Sequence, residues 1–176
     1  MFTTNHKPRP IVYLRYTHER DIPGIFFIET ESFEFPWDKN DFMRHMQRPY
    51  SGMLAEINKQ IVGYMFYEFV GPRMHLLNFA VHPDWRRQSV GTQMTGRLIA
   101  KLSTEKIHQR IVVKVRETNL SAQKFFSRCG FKGLNVLRGY YRDSSEDAFL
   151  MQYKYKTPDL LTNIINSVQD LTTKPQ

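Results

Sequence analysis

Residues 76–92 read Leu-Leu-Asn-Phe-Ala-Val-His-Pro-Asp-Trp-Arg-Arg-Gln-Ser-Val-Gly-Thr, and that order suits one kind of chemistry, the holding of an anion. A short apolar strand enters a Pro-Asp turn, a basic loop follows, and an amphipathic helix begins directly behind it. The N–H groups of a first helical turn have no partner within the helix, and they converge with the positive end of the helix dipole on one point. Arg86 and Arg87 add long-range attraction for phosphate. The stretch 86–92 is therefore expected to hold a phosphorylated ligand.

Other chemistries find less support. The single cysteine, Cys129, allows neither an internal disulfide nor a cysteine-rich metal site. It lies on an apolar helical stripe, where a buried thiol stays protonated and makes a poor nucleophile. No HxxxH, CxxC or carboxylate cluster suggests a metal, and the Gly-x-x-x-x-Gly-Lys-Ser/Thr phosphate loop is absent.

The cradle must be positioned by an ordered frame, and the periodicities describe one. Ile11–Arg15 alternates like a strand. The segment from His18 to Phe33 has helical spacing and stops before Pro36, and Asp38 is a good N-cap for a helix to about Gln47. Gly52–Ile57 and Gln60–Phe69 flank Asn58-Lys59, a hairpin turn, and Met74–Val81 is a further strand. Met94, Leu98, Ile99 and Leu102 form the apolar stripe of the helix behind the cradle. Arg110–Arg116 reads as a strand. Ala122, Phe125, Phe126 and Cys129 make a second stripe, closed by Gly130. Phe131–Leu137 and Asp147–Tyr155 are late strands. Strands followed by strand–helix–strand–helix–strand imply a mixed α/β sheet with helices on its faces.

The domain is expected over residues 11–156, after a tail at 1–10. Thr157-Pro-Asp opens a separate amphipathic helix in 157–176, with Leu160, Leu161, Ile164, Ile165 and Val168 on one face. That face packs on the domain or forms a homodimer contact.

At 176 residues, with 41% hydrophobic and 14% aromatic residues, the chain can bury one substantial core and is neither a coiled coil nor disordered. No apolar run approaches the roughly 18 residues of a bilayer span, and no signal peptide is read at the start. A reducing, cytoplasmic location is expected. The net charge of +8 fits a basic soluble surface or attraction to a polyanion: a nucleotide-bearing cofactor, a ribosome or nucleic acid. Direct nucleic-acid binding lacks the interleaved aromatic and basic strand pattern that would support it.

Four patches together resemble the GNAT superfamily of N-acetyltransferases, and within it the RimI-like ribosomal-protein alanine N-acetyltransferases. They are Arg86-Arg-Gln-Ser-Val-Gly91, matching the loop pattern Gln/Arg-x-x-Gly-x-Gly/Ala; Val115-Arg-Glu-Thr-Asn119 leading to Ala122, Phe126 and Cys129-Gly-Phe131; Arg138-Gly-Tyr-Tyr141 with Glu146-Asp-Ala148; and Ser32-Phe-Glu-Phe-Pro-Trp37. The resemblance covers about residues 11–155. It implies a mostly antiparallel, twisted sheet of about seven strands with helices on both faces, and acetyl-CoA as acyl donor. It implies that Phe79, Ala80 and Val81 offer strand backbone to the pantetheine arm, with an oxyanion donor from a bulge near 79–81. Arg86, Arg87, Gln88, Ser89, Val90, Gly91 and Thr92 would wrap the pyrophosphate, and the Asn119 side chain would face the cofactor or cap a helix. Phe35, Trp37, Tyr140 and Tyr141 would wall the groove for a protein N-terminus or peptide, such as that of a ribosomal protein.

The chain departs from this pattern at three positions. Ser89 replaces the first loop glycine, which matters if the position requires a positive φ; its hydroxyl could instead donate to a phosphate. Lys114 stands where RimI-like enzymes carry a glutamate base, and Phe126 where they carry a tyrosine acid. Acyl transfer needs a neutral amine and a stabilised oxyanion, so three readings stay open. His75 and Tyr141 substitute as base and acid; Lys114 selects an acidic acceptor; or the domain binds acyl-CoA or peptide without efficient catalysis. A small-amine acceptor is a further alternative.

Overall fold

The computed structural model describes residues 10–48, 51–104 and 110–155. The expected helix at 157–176 and residues 1–9 of the expected tail lie outside them. The elements are β1 (Tyr13–Tyr16), a 3-10 turn (Glu19–Asp21), α1 (Ile22–Ser32), α2 (Lys39–Met46), β2 (Gly52–Ile57), β3 (Gln60–Val70), β4 (Arg73–Val81), α3 (Val90–Thr104), β5 (Arg110–Arg116), α4 (Leu120–Arg128), β6 (Lys132–Tyr141) and β7 (Glu146–Lys154).

All seven strands form one sheet in the order β1-β2-β3-β4-β5-β7-β6. Every pairing is antiparallel except β4 with β5, so the expected mixed sheet is present. Asn58 and Lys59 both adopt positive φ, 50° and 65°, the type I′ geometry that matches the strand twist in a two-residue hairpin. Asp38 caps α2 reciprocally: its carboxylate accepts from the Asp41 N–H while the Asp41 carboxylate accepts from the Asp38 N–H.

Alternation along the strands feeds two cores, and the domain has three layers. On one face Met53, Ala55, Met65, Tyr67, Met74 and Leu76 pack under α3 through Val90, Met94, Leu98 and Leu102, and under α4 through Phe126. On the other, Leu54, Tyr64, Phe66 and Ala80 pack under α1 and α2 through Ile25, Ile28 and Phe42. Strands buried on both faces read as near-continuous apolar runs, as β3 does.

The one parallel pairing positions the site. β4 and β5 are in register only from Arg73↔Arg110 to Leu76↔Val113. Beyond Leu76 they separate, although β4 continues to pair with β3 as far as Val81 and β5 with β7 as far as Arg116. The separation starts at a bulge: Leu76 faces Tyr67 and Asn78 faces Phe66, leaving Leu77 without a partner. The bulge thus lies at Leu77, two residues before the 79–81 segment near which it is expected from sequence.

Candidate active site

The gap between the diverging strands is a cleft lined on one side by Leu76, Leu77, Asn78 and Phe79 of β4 and on the other by Val113, Lys114, Val115 and Arg116 of β5. Asn119, Ala122 and Phe126 close it below the start of α4, and Glu29, Phe33, Phe35, Trp37 and Tyr141 complete the walls. From Leu77 to Val81 the β4 edge that faces β5 makes no ladder pairing. An unpaired edge presents N–H and C=O groups that an extended ligand can bond. Phe79, Ala80 and Val81 stand on this edge.

The edge runs toward the loop 86–92. Arg87 and Ser89 adopt positive φ, 64° and 66°, so the position where the resembling pattern has glycine does need left-handed backbone. α3 starts at Val90, and the Gln93 N–H donates to the Ser89 carbonyl at 3.0 Å. Among the described residues, no backbone N–H of 87–92 makes a loop or cap hydrogen bond to another backbone group at ordinary distance, which suits an anion-holding helix start. Gly91 faces the Phe125 ring: a Cβ there would lie 3.1 Å from its Cζ, so a side chain would push against the packing of α3 on α4.

Two expected loop contacts turn elsewhere. The Arg86 guanidinium donates to the Val81 carbonyl (3.0 Å) and to Ser32 Oγ (3.1 Å), anchoring the end of β4 to α1. Gln88 Nε2 donates to the Asp84 carbonyl at 2.8 Å. Arg86 and Arg87 are both exposed, and Arg86 is the one tied back to Val81 and Ser32. Asn119 caps α4, its Oδ1 accepting from the Ala122 N–H at 3.0 Å, and it also lines the cleft. Both readings of this residue are compatible with that position.

The opposite wall holds a residue that sequence reasoning missed. Glu29 of α1 is 1% exposed, yet it reaches the cleft at the β4 bulge. Its carboxylate accepts from the Trp37 backbone N–H (2.7 Å), from Asn78 Nδ2 (3.1 and 3.2 Å) and from the Tyr64 hydroxyl. Burial pushes its pKa from 4.5 up to about 7, against the opposing pull of the Trp37 and Asn78 donors. A carboxylate that titrates near neutrality beside a cleft can exchange protons with an amine. The sequence signal was available: Ile25 and Glu29 are four residues apart, which sets the acid on the buried stripe of α1.

The proposed groove aromatics separate into two groups. Phe35, Trp37 and Tyr141 line the cleft; Trp37 stacks on His45 with ring centroids 4.8 Å apart. Tyr140 is not a lining residue. It covers Lys114, whose Nζ donates to the Tyr140 hydroxyl at 2.7 Å and sits 4.6 Å from the ring centre. Burial raises the Tyr141 pKa to about 12, so this phenol stays protonated; it donates to the Lys114 carbonyl at 3.2 Å. Phe126 contributes only a ring, packed at 5.8 Å from Phe79 and 5.1 Å from Phe131.

The Arg138-Gly-Tyr-Tyr and Glu-Asp-Ala signatures acquire a structural reason. β6 bulges between Leu137 and Tyr141, and Asp147 gathers the bulge by accepting from the Gly139 N–H (2.8 Å) and from Arg138. Glu146 accepts from the Thr118 N–H (3.2 Å) and from Arg116 (3.1 Å). Arg116, also paired with Asp143 at 2.6 Å, lies 3.9 Å from the Tyr141 ring centre and 4.9 Å from that of Phe35. Together these contacts fold the β6–β7 hairpin over the cleft.

His75 is placed elsewhere. It stands on β4 before the bulge, opposite Val112 and Glu68, and it does not line the cleft. Burial first, then the Lys114 charge, lowers its pKa. The expectation of His75 as base is therefore not met by its position. The described residues contain no group of three or more metal-ligating side chains, and no helix among them is long and apolar enough to cross a membrane.

A splayed sheet, an open strand edge and an anion cradle together define an acyl-transfer fold. The sequence pattern of the acetyltransferase (GNAT) family matches residues 16–131, and the chain belongs to that family. A Bacillus subtilis (strain 168) protein assigned as a ribosomal protein bS18-alanine N-acetyltransferase is 32% identical over 133 residues, 74% of this chain and 87% of its own. The ribosomal protein bS18-alanine N-acetyltransferase of Escherichia coli (strain K12) is 28% identical over the same share of this chain and 89% of its own. The crystal structure of the Escherichia coli ribosomal-protein-S18-alanine N-acetyltransferase superposes with a TM-score of 0.75 at 24% identity, covering 85% of this chain and 97% of the other.

Proposed function

We propose that the protein transfers the acetyl group of acetyl-CoA to the α-amine of a protein N-terminus, and that it does so in the cytoplasm. The carrying observation is the cleft itself: a donor path of open β4 edge and cradle meets, at the bulge, a buried carboxylate poised near neutrality. The bS18-alanine N-acetyltransferases among its relatives support a protein acceptor, with a ribosomal protein as one form of it.

The chain's own groups fit acetyl-CoA. The N–H groups of the loop and helix start at 87–92, with Arg87 beside them, suit a pyrophosphate. The backbone of 79–81 suits an extended amide-bearing arm. When bound, acetyl-CoA supplies a thioester carbonyl and a thiol leaving group.

The Leu77 backbone, without a ladder partner at the bulge, is the place for an N–H donor to the carbonyl oxygen. Glu29 takes the proton of the acceptor ammonium; with 1% exposure it does so through water in the cleft. Tyr141, held protonated by burial, turns its one O–H from the Lys114 carbonyl to the departing thiolate. Phe126 and Phe79 exclude water, which strengthens each of these interactions.

The test is ligand-dependent stability followed by turnover. Acetyl-CoA should raise the melting temperature by mass action, and peptides with free N-termini should gain one acetyl group by mass spectrometry. No thermal shift at millimolar acetyl-CoA overturns the donor assignment. A shift without acetylation of any peptide overturns the protein-acceptor reading.

A further inference from the structure

Two cations enter the cleft from β5, and they are in different electrostatic states. Lys114 and Arg116 are two residues apart, so they share one face of the strand. Arg116 is matched by two carboxylates, Asp143 at 2.6 Å and Glu146 at 3.1 Å. Lys114 has no carboxylate within ion-pair distance among the described residues. Its one hydrogen bond goes to a neutral phenol, Tyr140. The other charged or titratable groups around it do not change the balance. His75 is disfavoured as a cation by burial and by Lys114 itself. Glu68 is committed to Arg48, and Glu29 to Trp37, Asn78 and Tyr64 on the far wall.

The β5 wall therefore carries one cation without a carboxylate partner, across the cleft from Glu29, and an ammonium placed beside Lys114 is repelled. The contact with Tyr140 holds the Lys114 head in place, which reduces the entropy lost on meeting a partner. The space is small, about 160 Å³ against the ~300–1,000 Å³ of a site for a drug-sized ligand. It admits the first residue or two of an extended chain.

Resting on the protein-acceptor reading above, we propose that Lys114, steadied by Tyr140, selects N-termini that carry a carboxylate side chain next to the reacting residue. The carboxylate pairs with the ammonium, cancels the repulsion, and fixes the α-amine toward Glu29.

The experiment uses the full chain, saturating acetyl-CoA, and three peptides that differ only at the second residue: Ala-Glu-, Ala-Gln- and Ala-Lys-. The expected order of kcat/KM is Glu above Gln by about tenfold, the range of one hydrogen bond to a charged group, and Gln above Lys. The Glu advantage should shrink between ~50 mM and ~500 mM salt, as screening requires. Lys114→Met should erase the gap between Glu and Gln peptides, and Lys114→Glu should reverse the order. Equal rates for Glu and Gln peptides in the wild type, or a Glu preference that survives Lys114→Met, overturn the proposal. If either variant fails to fold, the wild-type order and its salt dependence still decide it. Equal rates leave the transferase reading intact; no turnover of any of the three, with acetyl-CoA bound, removes both.

Discussion

The two halves of the cleft are made of different material. The proposed donor half is backbone: the open edge Leu77–Val81, the loop and helix start at 87–92, and a glycine kept bare by Phe125. Its most conspicuous side chains, Arg86 and Gln88, turn away and hold the loop together. The acceptor half is side chain: Glu29 from α1, Trp37 from the α1–α2 loop, Lys114 and Arg116 from β5, and Tyr141 from β6. A backbone site survives many substitutions, because its donors come with every residue. A side-chain site changes its chemistry with one. The contrast explains how one frame can be kept while the charge and proton chemistry of one wall change.

The largest effect should come from the acceptor half. Glu29→Gln keeps the shape and removes the ionisation, and kcat should fall by about 10²–10⁴, the range of a lost general base. The wild-type rate should rise with pH through about 7, where Glu29 loses its proton. That limb should vanish in the variant, leaving the limb of the α-amine near ~8. Stability gives an independent reading. A carboxyl raised from 4.5 to about 7 by folding favours the native state below 4.5 and loses that contribution as pH rises through 7. Glu29→Gln should therefore gain stability relative to the wild type over this window. His75→Ala should cost less than about tenfold in the same assay, since His75 stands behind the bulge. A pH profile unchanged in Glu29→Gln would return the base to another group and dissolve the contrast between the walls.

The same division governs what the sequence made legible. β2 and β5 were read with their observed bounds and β3 and β4 within one residue, because hydrophobic alternation and turn chemistry are local. The β6–β7 hairpin was read short: Lys132–Tyr141 extends past Leu137 through a bulge gathered on Asp147, a long-range contact without a local signature. The donor half was visible as a motif, and even the strain at Ser89 was foreseeable from its glycine-like position. The acceptor half is assembled from elements up to about a hundred residues apart. Glu29 looked like one more polar residue of a helix until Asn78, Tyr64 and the Trp37 N–H closed around it. The bulge that admits it depends on where β4 and β5 part, which no local pattern encodes.

A smaller effect is expected from crowding the donor half. Gly91→Val places a branched side chain against Phe125, where Cβ alone already approaches to 3.1 Å and Val81 Cγ2 lies at 3.6 Å. Overpacking of this kind costs about 1–3 kcal/mol, measurable by denaturant unfolding. The variant should need more acetyl-CoA for half-saturation while its kcat at saturating donor changes little. A large fall in kcat with unchanged donor affinity would mean that the two halves are not separable in this way.

The smallest effect tests whether the donor half is backbone alone. Ser89 holds φ at 66°, a conformation that costs a residue with a Cβ roughly 1–2 kcal/mol and glycine almost nothing. Ser89→Gly removes that strain but gives the unfolded chain more freedom to lose. The net gain should be below about 1 kcal/mol, a rise of a few degrees at most in melting temperature. The decisive comparison is the acetyl-CoA-dependent shift in the two proteins. If the loop acts through its N–H groups, the free protein is stabilised and the ligand-dependent shift is unchanged. If Ser89→Gly instead weakens acetyl-CoA binding, its hydroxyl belongs to the cradle, and the donor half, like the acceptor half, depends on a particular side chain.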